Sequence, residues 1–131
     1  MSAKTCLQTA ALALPLLAAG TMAHAEPIAG ERLRAFVEGK RIYLATPFGL
    51  ELPLRYLPDG TVSGDITGFS FARMFSPRED GRWWVAGDRL CQKWASWYAG
   101  KTSCFTVRKT GEQSIIWTRD DGASGRARVA G

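Results

Sequence analysis

Histidine is the scarcest chemically useful residue in this chain, with one in 131 residues. It is His24, which lies in a segment with the features of a cleaved signal peptide. Without it, the remaining chain has no histidine general base, no Ser-His or Cys-His nucleophile and no histidine ligand for a metal. We therefore expect a protein that is not an enzyme and that carries no metal and no cofactor.

Long apolar runs are lacking after residue 25. Residues 1–25 contain Lys4, a short apolar run at residues 10–19, and Ala-His-Ala directly before Glu26. This order is typical of a secretory signal peptide, so we expect residues 1–25 to be removed and the protein to be periplasmic or secreted. No later stretch approaches the roughly 18 consecutive apolar residues of a membrane helix, and we expect no membrane span.

Cysteine is also scarce, and only Cys91 and Cys104 follow the predicted signal peptide. An even number of cysteines in an exported chain favours a disulfide over a catalytic thiol. Lys4 is the only charged residue of residues 1–25, so its removal lowers the net charge from +5 to +4. Residues 26–131 have the length of one domain, which we expect to be monomeric.

Gly87-Asp88 lies between two alternating segments and predicts a two-residue hairpin loop, because glycine suits the first position of such a loop. This loop places Trp84 opposite Cys91, and Trp83 then points to the other face. If Cys91 lies opposite Cys104 on the next strand, one face collects the apolar side chains Trp83, Val85, Leu90, Phe105 and Val107. The register predicts a Cys91–Cys104 disulfide on the outer face, with Trp84 packed across it.

The other strands are bounded by turn residues such as Pro58-Asp59-Gly60 and Asp120-Asp121-Gly122. The alternation predicts eight strands, at residues 41–46, 50–57, 61–66, 81–86, 89–94, 103–109, 114–120 and 125–129. Before them lie a lead-in and a short helix, since Leu33, Phe36 and Val37 recur at helical spacing. The prediction is a mainly β domain with one antiparallel meander and a short N-terminal helix.

The loop at residues 110–112 is predicted to have three residues, including a glycine in a bulge. This loop sets Ile115 opposite Val107 and Trp117 opposite Phe105. Eight sequential antiparallel strands in about 100 residues predict a small up-and-down barrel, which removes exposed edges by closure. A strongly bent open sheet around the helix is the alternative.

Three segments together resemble a known pattern. They are YLPDGTV at residues 56–62, GRWWVAGDRLCQKW at residues 81–94, and Cys104. The pattern resembles that of small exported proteobacterial proteins of unknown function with a lipocalin-like barrel. The resemblance covers most of the chain after residue 25 and implies the fold. It implies no ligand and no site residues, because that family has no agreed activity.

The longest stretch without strand alternation, residues 64–80, is unusually apolar. Phe71, Met74 and Phe75 have helical spacing within it. One interpretation is a plug that closes one end of the core. The other is a lid over a ligand cavity lined by aromatic residues, which are Tyr43, Tyr56, Trp83, Phe105 and Trp117.

Two surfaces are candidates for binding a partner. Trp84 shares the predicted disulfide face with Arg89, Lys93 and Arg108, and such a cationic patch suits an anionic envelope polymer or a protein. Nucleic acid is not expected in this compartment. Within the disulfide loop, Trp97-Tyr98 is predicted to be exposed, and aromatic side chains at a constrained loop tip commonly anchor protein contacts.

Two functions therefore remain open. The first is a barrel that binds a small apolar or amphipathic molecule. The second is an accessory or interaction protein of the bacterial envelope, such as an inhibitor, with a filled core and an unknown partner. The second is preferred, because five or six large aromatic side chains fill the interior of a small eight-stranded barrel.

Overall fold

The computed structural model describes residues 25–46, 49–70 and 76–131. The predicted signal peptide, apart from Ala25, and the predicted helical turn at Phe71, Met74 and Phe75 lie outside these residues. The elements are β1 (Glu26–Ile28), α1 (Gly30–Val37), β2 (Lys40–Ala45), β3 (Glu51–Tyr56), β4 (Thr61–Asp65), β5 (Arg78–Ala86), β6 (Arg89–Trp94), a 3-10 segment (Trp97–Gly100), β7 (Thr102–Gly111), β8 (Ser114–Arg119) and β9 (Ser124–Ala130).

The strands β2 to β9 form a closed antiparallel barrel. Each of them pairs with the next strand along the chain, and β9 pairs with β2 to complete the circle. This confirms the predicted up-and-down barrel, and the open-sheet alternative is wrong. Closure leaves the barrel strands with hydrogen-bonded neighbours on both sides, so the sheet does not end in two free edges.

A ninth strand, β1, extends the sheet where the sequence predicts only a lead-in. It pairs with the second half of β7, with Ile28 opposite Val107, while β6 covers the first half of the same edge. The Gly30 N–H donates to the carbonyl of Gly87 at 2.8 Å, which fastens the chain after β1 to the β5–β6 turn. Strand β1 therefore supplies a partner to backbone groups of β7 that lie beyond the end of β6.

The predicted register of β5, β6 and β7 is confirmed. Trp84 lies opposite Cys91, Cys91 lies opposite Cys104, and the two cysteines form a disulfide. Trp83 is 3% exposed and belongs to the core, whereas Trp84 is 37% exposed on the outer face. The parity argument from the Gly87-Asp88 turn therefore assigns both tryptophans to the correct face of the sheet.

The predicted register of β7 and β8 is wrong by two residues. Trp117 lies opposite Val107, and Ile115 lies opposite Lys109. The turn between β7 and β8 has two residues instead of the predicted three. The register then shifts at a bulge between Lys109 and Gly111. Because the bulge adds one residue to β7, a two-residue turn still leaves Ile115 buried and Trp117 against the core.

Helix α1 covers one end of the barrel. Its Leu33 and Val37 side chains are fully buried, and the helix contacts β2, β5 and β6. The opposite end carries the β6–β7 connection inside the disulfide. In the part of the chain that the structure describes, no helix has the length and apolar character needed to cross a membrane.

Candidate functional site

The connection between β6 and β7 is a loop that the Cys91–Cys104 disulfide closes at its base. β6 ends at Trp94 and β7 begins at Thr102, and the 3-10 segment Trp97–Gly100 lies between them. We call residues 95–101 the disulfide loop. It contains both Trp97 and Tyr98, whose side chains have different environments: Trp97 packs against the core and Tyr98 is exposed.

The carboxylate of Glu79, on β5, anchors the start of the disulfide loop. It accepts hydrogen bonds from the backbone N–H of Ser96 at 2.9 Å, from the Ser96 hydroxyl, and from the backbone N–H of Trp97 at 2.7 Å. Burial alone raises the pKa of Glu79, but the three hydrogen bonds to its ionised form outweigh burial and lower it. One carboxylate thus satisfies the polar groups that begin the turn.

Trp97 lies half-buried against the core at the end of the barrel. Its ring centroid is 4.6 Å from that of Trp94, and its indole N–H donates to the Ser76 carbonyl at 2.8 Å. A Cβ atom at Gly64 would come within 2.5 Å of the Trp97 ring, so the absence of a side chain there makes room for the indole. The prediction that Trp97 is an exposed aromatic is therefore wrong, because the ring packs inward over β4.

Tyr98 is exposed, as predicted, and its backbone conformation is unusual. Tyr98 and Ala99 have φ angles of 55° and 57°, and Gly100 follows with 66°, so three consecutive residues are left-handed. Non-glycine residues rarely adopt this conformation. The turn reverses the chain directly after the half-buried Trp97 and leaves Tyr98 51% exposed.

The Tyr98 ring is accompanied by a fixed cation. The Arg119 guanidinium lies 5.8 Å from the ring centroid, within the range of a cation–π contact. Asp121 holds this guanidinium through two hydrogen bonds of 2.9 and 2.7 Å. Those hydrogen bonds raise the pKa of Arg119 and lower that of Asp121 to about 2. The exposed tyrosine and its arginine therefore form one ordered surface.

We expect Ala99→Gly to raise the free energy of unfolding by about 0.5 to 1 kcal/mol. A left-handed non-glycine residue costs roughly 1–2 kcal/mol, and the greater freedom of glycine in the unfolded chain cancels only part of that gain. Urea denaturation measures the change. Ala95→Gly is the matched control, because Ala95 lies in the same loop without a positive φ and should lose stability. Equal destabilisation by both substitutions would contradict the strained turn.

The interior of the barrel contains a cavity of about 50 Å³. Its walls include Tyr56, Phe105 and Trp117, as predicted, and Tyr98 and Arg119 line it as well. Trp83 faces the core but does not line the cavity. Tyr43 points to the outer face instead, because Ile42 and Leu44 take the two inward positions of β2. The volume is far below the roughly 300–1,000 Å³ of sites for drug-sized ligands.

One buried polar pair lies in this interior. The Tyr56 hydroxyl donates to the Gln92 Oε1 at 2.7 Å, and both residues are buried. Burial, with a smaller contribution from Tyr98, raises the pKa of Tyr56 far above its ordinary value, so the phenol stays protonated. Gln92 was missed as an inward polar residue, although its place between Leu90 and Trp94 on an apolar face was a visible signal.

The outer face of β5, β6 and β7 carries the predicted cationic patch. Arg89 and Lys93 lie on the same face as Trp84 and the disulfide, and Arg108 follows on β7.

Phe71, Met74 and Phe75, the predicted plug or lid, lie outside the described residues. Glu79 was also missed as a loop anchor, because the acidic pair Glu79-Asp80 next to Gly81 is equally typical of a solvated turn.

Within the described residues, no group of three histidine, cysteine, aspartate or glutamate side chains could hold a metal ion. No known family model matches the chain, and comparisons with curated proteins and with solved structures give no match.

Proposed function

We propose that the chain is a non-enzymatic interaction protein of the bacterial envelope that binds a protein partner through Tyr98 at the tip of the disulfide loop. The observation that carries this proposal is the pair of left-handed residues that leave Tyr98 51% exposed on an anchored turn. Left-handed non-glycine residues cost stability and are concentrated at functional sites. Export follows from the predicted signal peptide and agrees with the disulfide.

The anchoring of the loop is the reason why Tyr98 suits protein recognition. The disulfide closes the base of the loop, Glu79 holds its first turn, and Trp97 fixes it to the core. A side chain presented by a preordered loop loses little conformational entropy when it is buried by a partner. Tyrosine and arginine are also enriched among the residues that dominate binding energy, and Tyr98 lies beside Arg119.

The alternative function, a barrel that takes a small apolar or amphipathic ligand, has weaker support. A volume of about 50 Å³ has room for a few water molecules and is too small for a lipid-like molecule. The resemblance to exported proteins with a lipocalin-like barrel does not favour this alternative, because it implies the fold and no ligand. An interaction surface at the end of a filled barrel accounts better for the position of the exposed aromatic.

The test is affinity capture from an envelope extract with the native protein, Tyr98→Ala and Trp84→Ala as baits. Trp84→Ala is the matched control, because among the residues that the structure describes Trp84 is the other exposed large aromatic, and it lies on the outer face of β5 outside the disulfide loop. We expect a partner, identified by mass, that the native and Trp84→Ala baits retain and the Tyr98→Ala bait loses. With the purified partner, Tyr98→Ala should weaken binding by about 30-fold or more, the effect of a residue that dominates an interface.

Thermal unfolding of the three baits supplies the second control. Tyr98 is exposed and left-handed, so its replacement should leave the melting temperature nearly unchanged. Retention of the same partner by the Tyr98→Ala bait, with an unchanged dissociation constant, would overturn the proposal. Loss of the partner from the Trp84→Ala bait alone would move the site to the disulfide face.

A further inference from the structure

A groove of about 530 Å³ lies on the outer face of the barrel, beside β3 and β4. Its lining includes Arg41, Tyr43, Pro53, Arg55, Ser63 and Asp80. The volume falls in the range of sites that bind small molecules. This groove is distinct from the cavity inside the barrel and shares no lining residue with it.

Pro53 explains why the groove opens at this place. The Leu57 N–H donates to the Thr61 carbonyl across the β3–β4 hairpin, and alternate residues of a strand direct their N–H groups to the same side. Position 53 would therefore donate toward β4, but proline has no N–H. The paired residues of β3 and β4 accordingly end at Leu54 and Gly64, and the strands separate beyond them.

Two unpaired cations lie along one side of the groove. Arg41 on β2 and Arg55 on β3 are directly opposite each other in the register, and both are exposed. Neither side chain forms an ion pair or a hydrogen bond with another residue in the described part of the chain. Like charges directly opposite on neighbouring strands are unfavourable. An anion between the two guanidinium groups would remove that repulsion, and planar guanidinium groups match carboxylate and phosphate oxygens.

The opposite side of the groove offers hydrogen-bond acceptors. Ser63 lies opposite Arg55, and Asp80 lies opposite Ser63, so the three residues form a row across neighbouring strands. Asp65, Arg78 and Glu79 also line the groove, but all three are engaged. Asp65 accepts from Thr67 and pairs with Arg78 at 3.0 Å, and Glu79 anchors the disulfide loop. Asp80 has no such partner in the described residues and is available to accept from a hydroxyl group.

We propose that this groove binds an acidic saccharide, with its carboxylate or phosphate between Arg41 and Arg55 and its hydroxyl groups on Ser63 and Asp80. Pro53 supplies apolar surface for the sugar ring, and beside it lies Tyr43, whose ring already carries the Arg128 guanidinium at 4.2 Å. A simple polyanion would not gain from Asp80, because that carboxylate repels it. Once the Arg78–Asp65 ion pair and the engaged Glu79 are set aside, the groove offers two unpaired cations and one unpaired carboxylate. This combination favours a sugar that bears both an acid and free hydroxyl groups.

The experiment measures binding of short oligogalacturonates and of glucose 6-phosphate to the whole protein by calorimetry, at about 0.15 M ionic strength to screen distant charges. Neutral cello-oligosaccharides are the control ligand. We expect saturable binding of at least one acidic probe and none of the neutral one. Arg55→Ala and Arg41→Ala should each weaken binding about tenfold, the effect of one lost charge-assisted contact. The two acidic probes distinguish a carboxylate from a phosphate ligand.

The matched control is Arg82→Ala and Lys93→Ala. These two cations are also directly opposite each other, on β5 and β6, and neither lines the groove. Their replacement should leave the dissociation constant unchanged. If the control variants lose as much affinity as Arg41→Ala and Arg55→Ala, the binding reflects general charge attraction and the proposal is overturned. Failure of both acidic probes to bind the native protein would overturn it too.

Asp80→Ala separates a saccharide from other anions. It should weaken binding of the acidic sugar at least about threefold through the lost hydrogen bond, whereas it should strengthen binding of inorganic polyphosphate. Stronger binding of both ligands would overturn the saccharide assignment. Tyr98→Ala should change neither measurement, so the groove is tested independently of the protein-binding loop.

Discussion

Replacing Trp83 by alanine is expected to lower the free energy of unfolding by about 3 to 5 kcal/mol, the cost of truncating a large buried aromatic side chain. Trp83 is 3% exposed, and its indole N–H donates to the Leu57 carbonyl at 2.8 Å. Its ring lies edge-on to Tyr56 at 5.8 Å and carries the Arg34 guanidinium at 5.2 Å. The loss is large beside a total stability of roughly 5–15 kcal/mol for a small domain.

Urea denaturation followed by circular dichroism measures this effect, with Trp84→Ala as the matched control. Trp84 is the next residue of the same strand but is 37% exposed, so its replacement should cost clearly less. Trp83→Phe keeps most of the ring volume and loses the hydrogen bond to Leu57, and it should give an intermediate loss. A larger loss for Trp84→Ala than for Trp83→Ala would contradict the assignment of faces in β5.

Removal of the disulfide is expected to cost about 3 kcal/mol by the chain-entropy estimate for a closed loop of this length. Cys91 and Cys104 are 13 positions apart and lie opposite each other on β6 and β7. The double variant Cys91→Ala, Cys104→Ala avoids a polar side chain at Cys91, which is buried. The comparison is the urea midpoint of the double variant against that of the native oxidised protein.

Reductant provides the internal control for the disulfide prediction. It should lower the midpoint of the native protein toward that of the double variant and leave the double variant unchanged. A free-thiol assay on the unfolded, oxidised native protein should find no reactive thiol. Two reactive thiols in that assay, or a midpoint that does not respond to reductant, would contradict the prediction.

The two proposed binding surfaces use different properties of the same barrel. The disulfide loop lies at one end, where strand connections are free to differ in conformation without affecting the sheet. The groove lies on the outer face, at a place where Pro53 ends the pairing of β3 with β4. A closed barrel tolerates both features because its remaining strand pairs keep the core covered.

The faces of β5, β6 and β7 were predictable because they depend on local parity. Once the Gly87-Asp88 turn sets Trp84 opposite Cys91, the alternation of side chains assigns every neighbour. The β7–β8 hairpin shows the limit of this reasoning. The bulge between Lys109 and Gly111 compensates for a shorter turn, and two combinations of turn and bulge bury the same residues.

The candidate site was predictable only in part. Tyr98 and Trp97 are adjacent aromatic residues in one loop, and composition offers no reason to separate them. Trp97 is half-buried and Tyr98 exposed because Gly64 leaves space for the Trp97 ring and the Glu79 carboxylate fixes the start of the loop. Both of these residues lie on other strands. The cation pair of Arg41 and Arg55 was missed because the register between β2 and β3, which places the two residues opposite each other, is not set by either strand alone.

Alternation, turn residues and the cysteine pair in the chain were sufficient to establish a β-meander, a disulfide between neighbouring strands and an inward Trp83. Barrel closure, the pairing of β1 with β7, and the outward position of Tyr43 were decided only by the tertiary structure. The run Ile42, Tyr43 and Leu44 is apolar throughout, so its parity is ambiguous until β9 places Arg128 4.2 Å from the Tyr43 ring. Local features depend on residues a few positions apart, whereas closure depends on strands that are distant in the sequence and meet only when the whole sheet has curved.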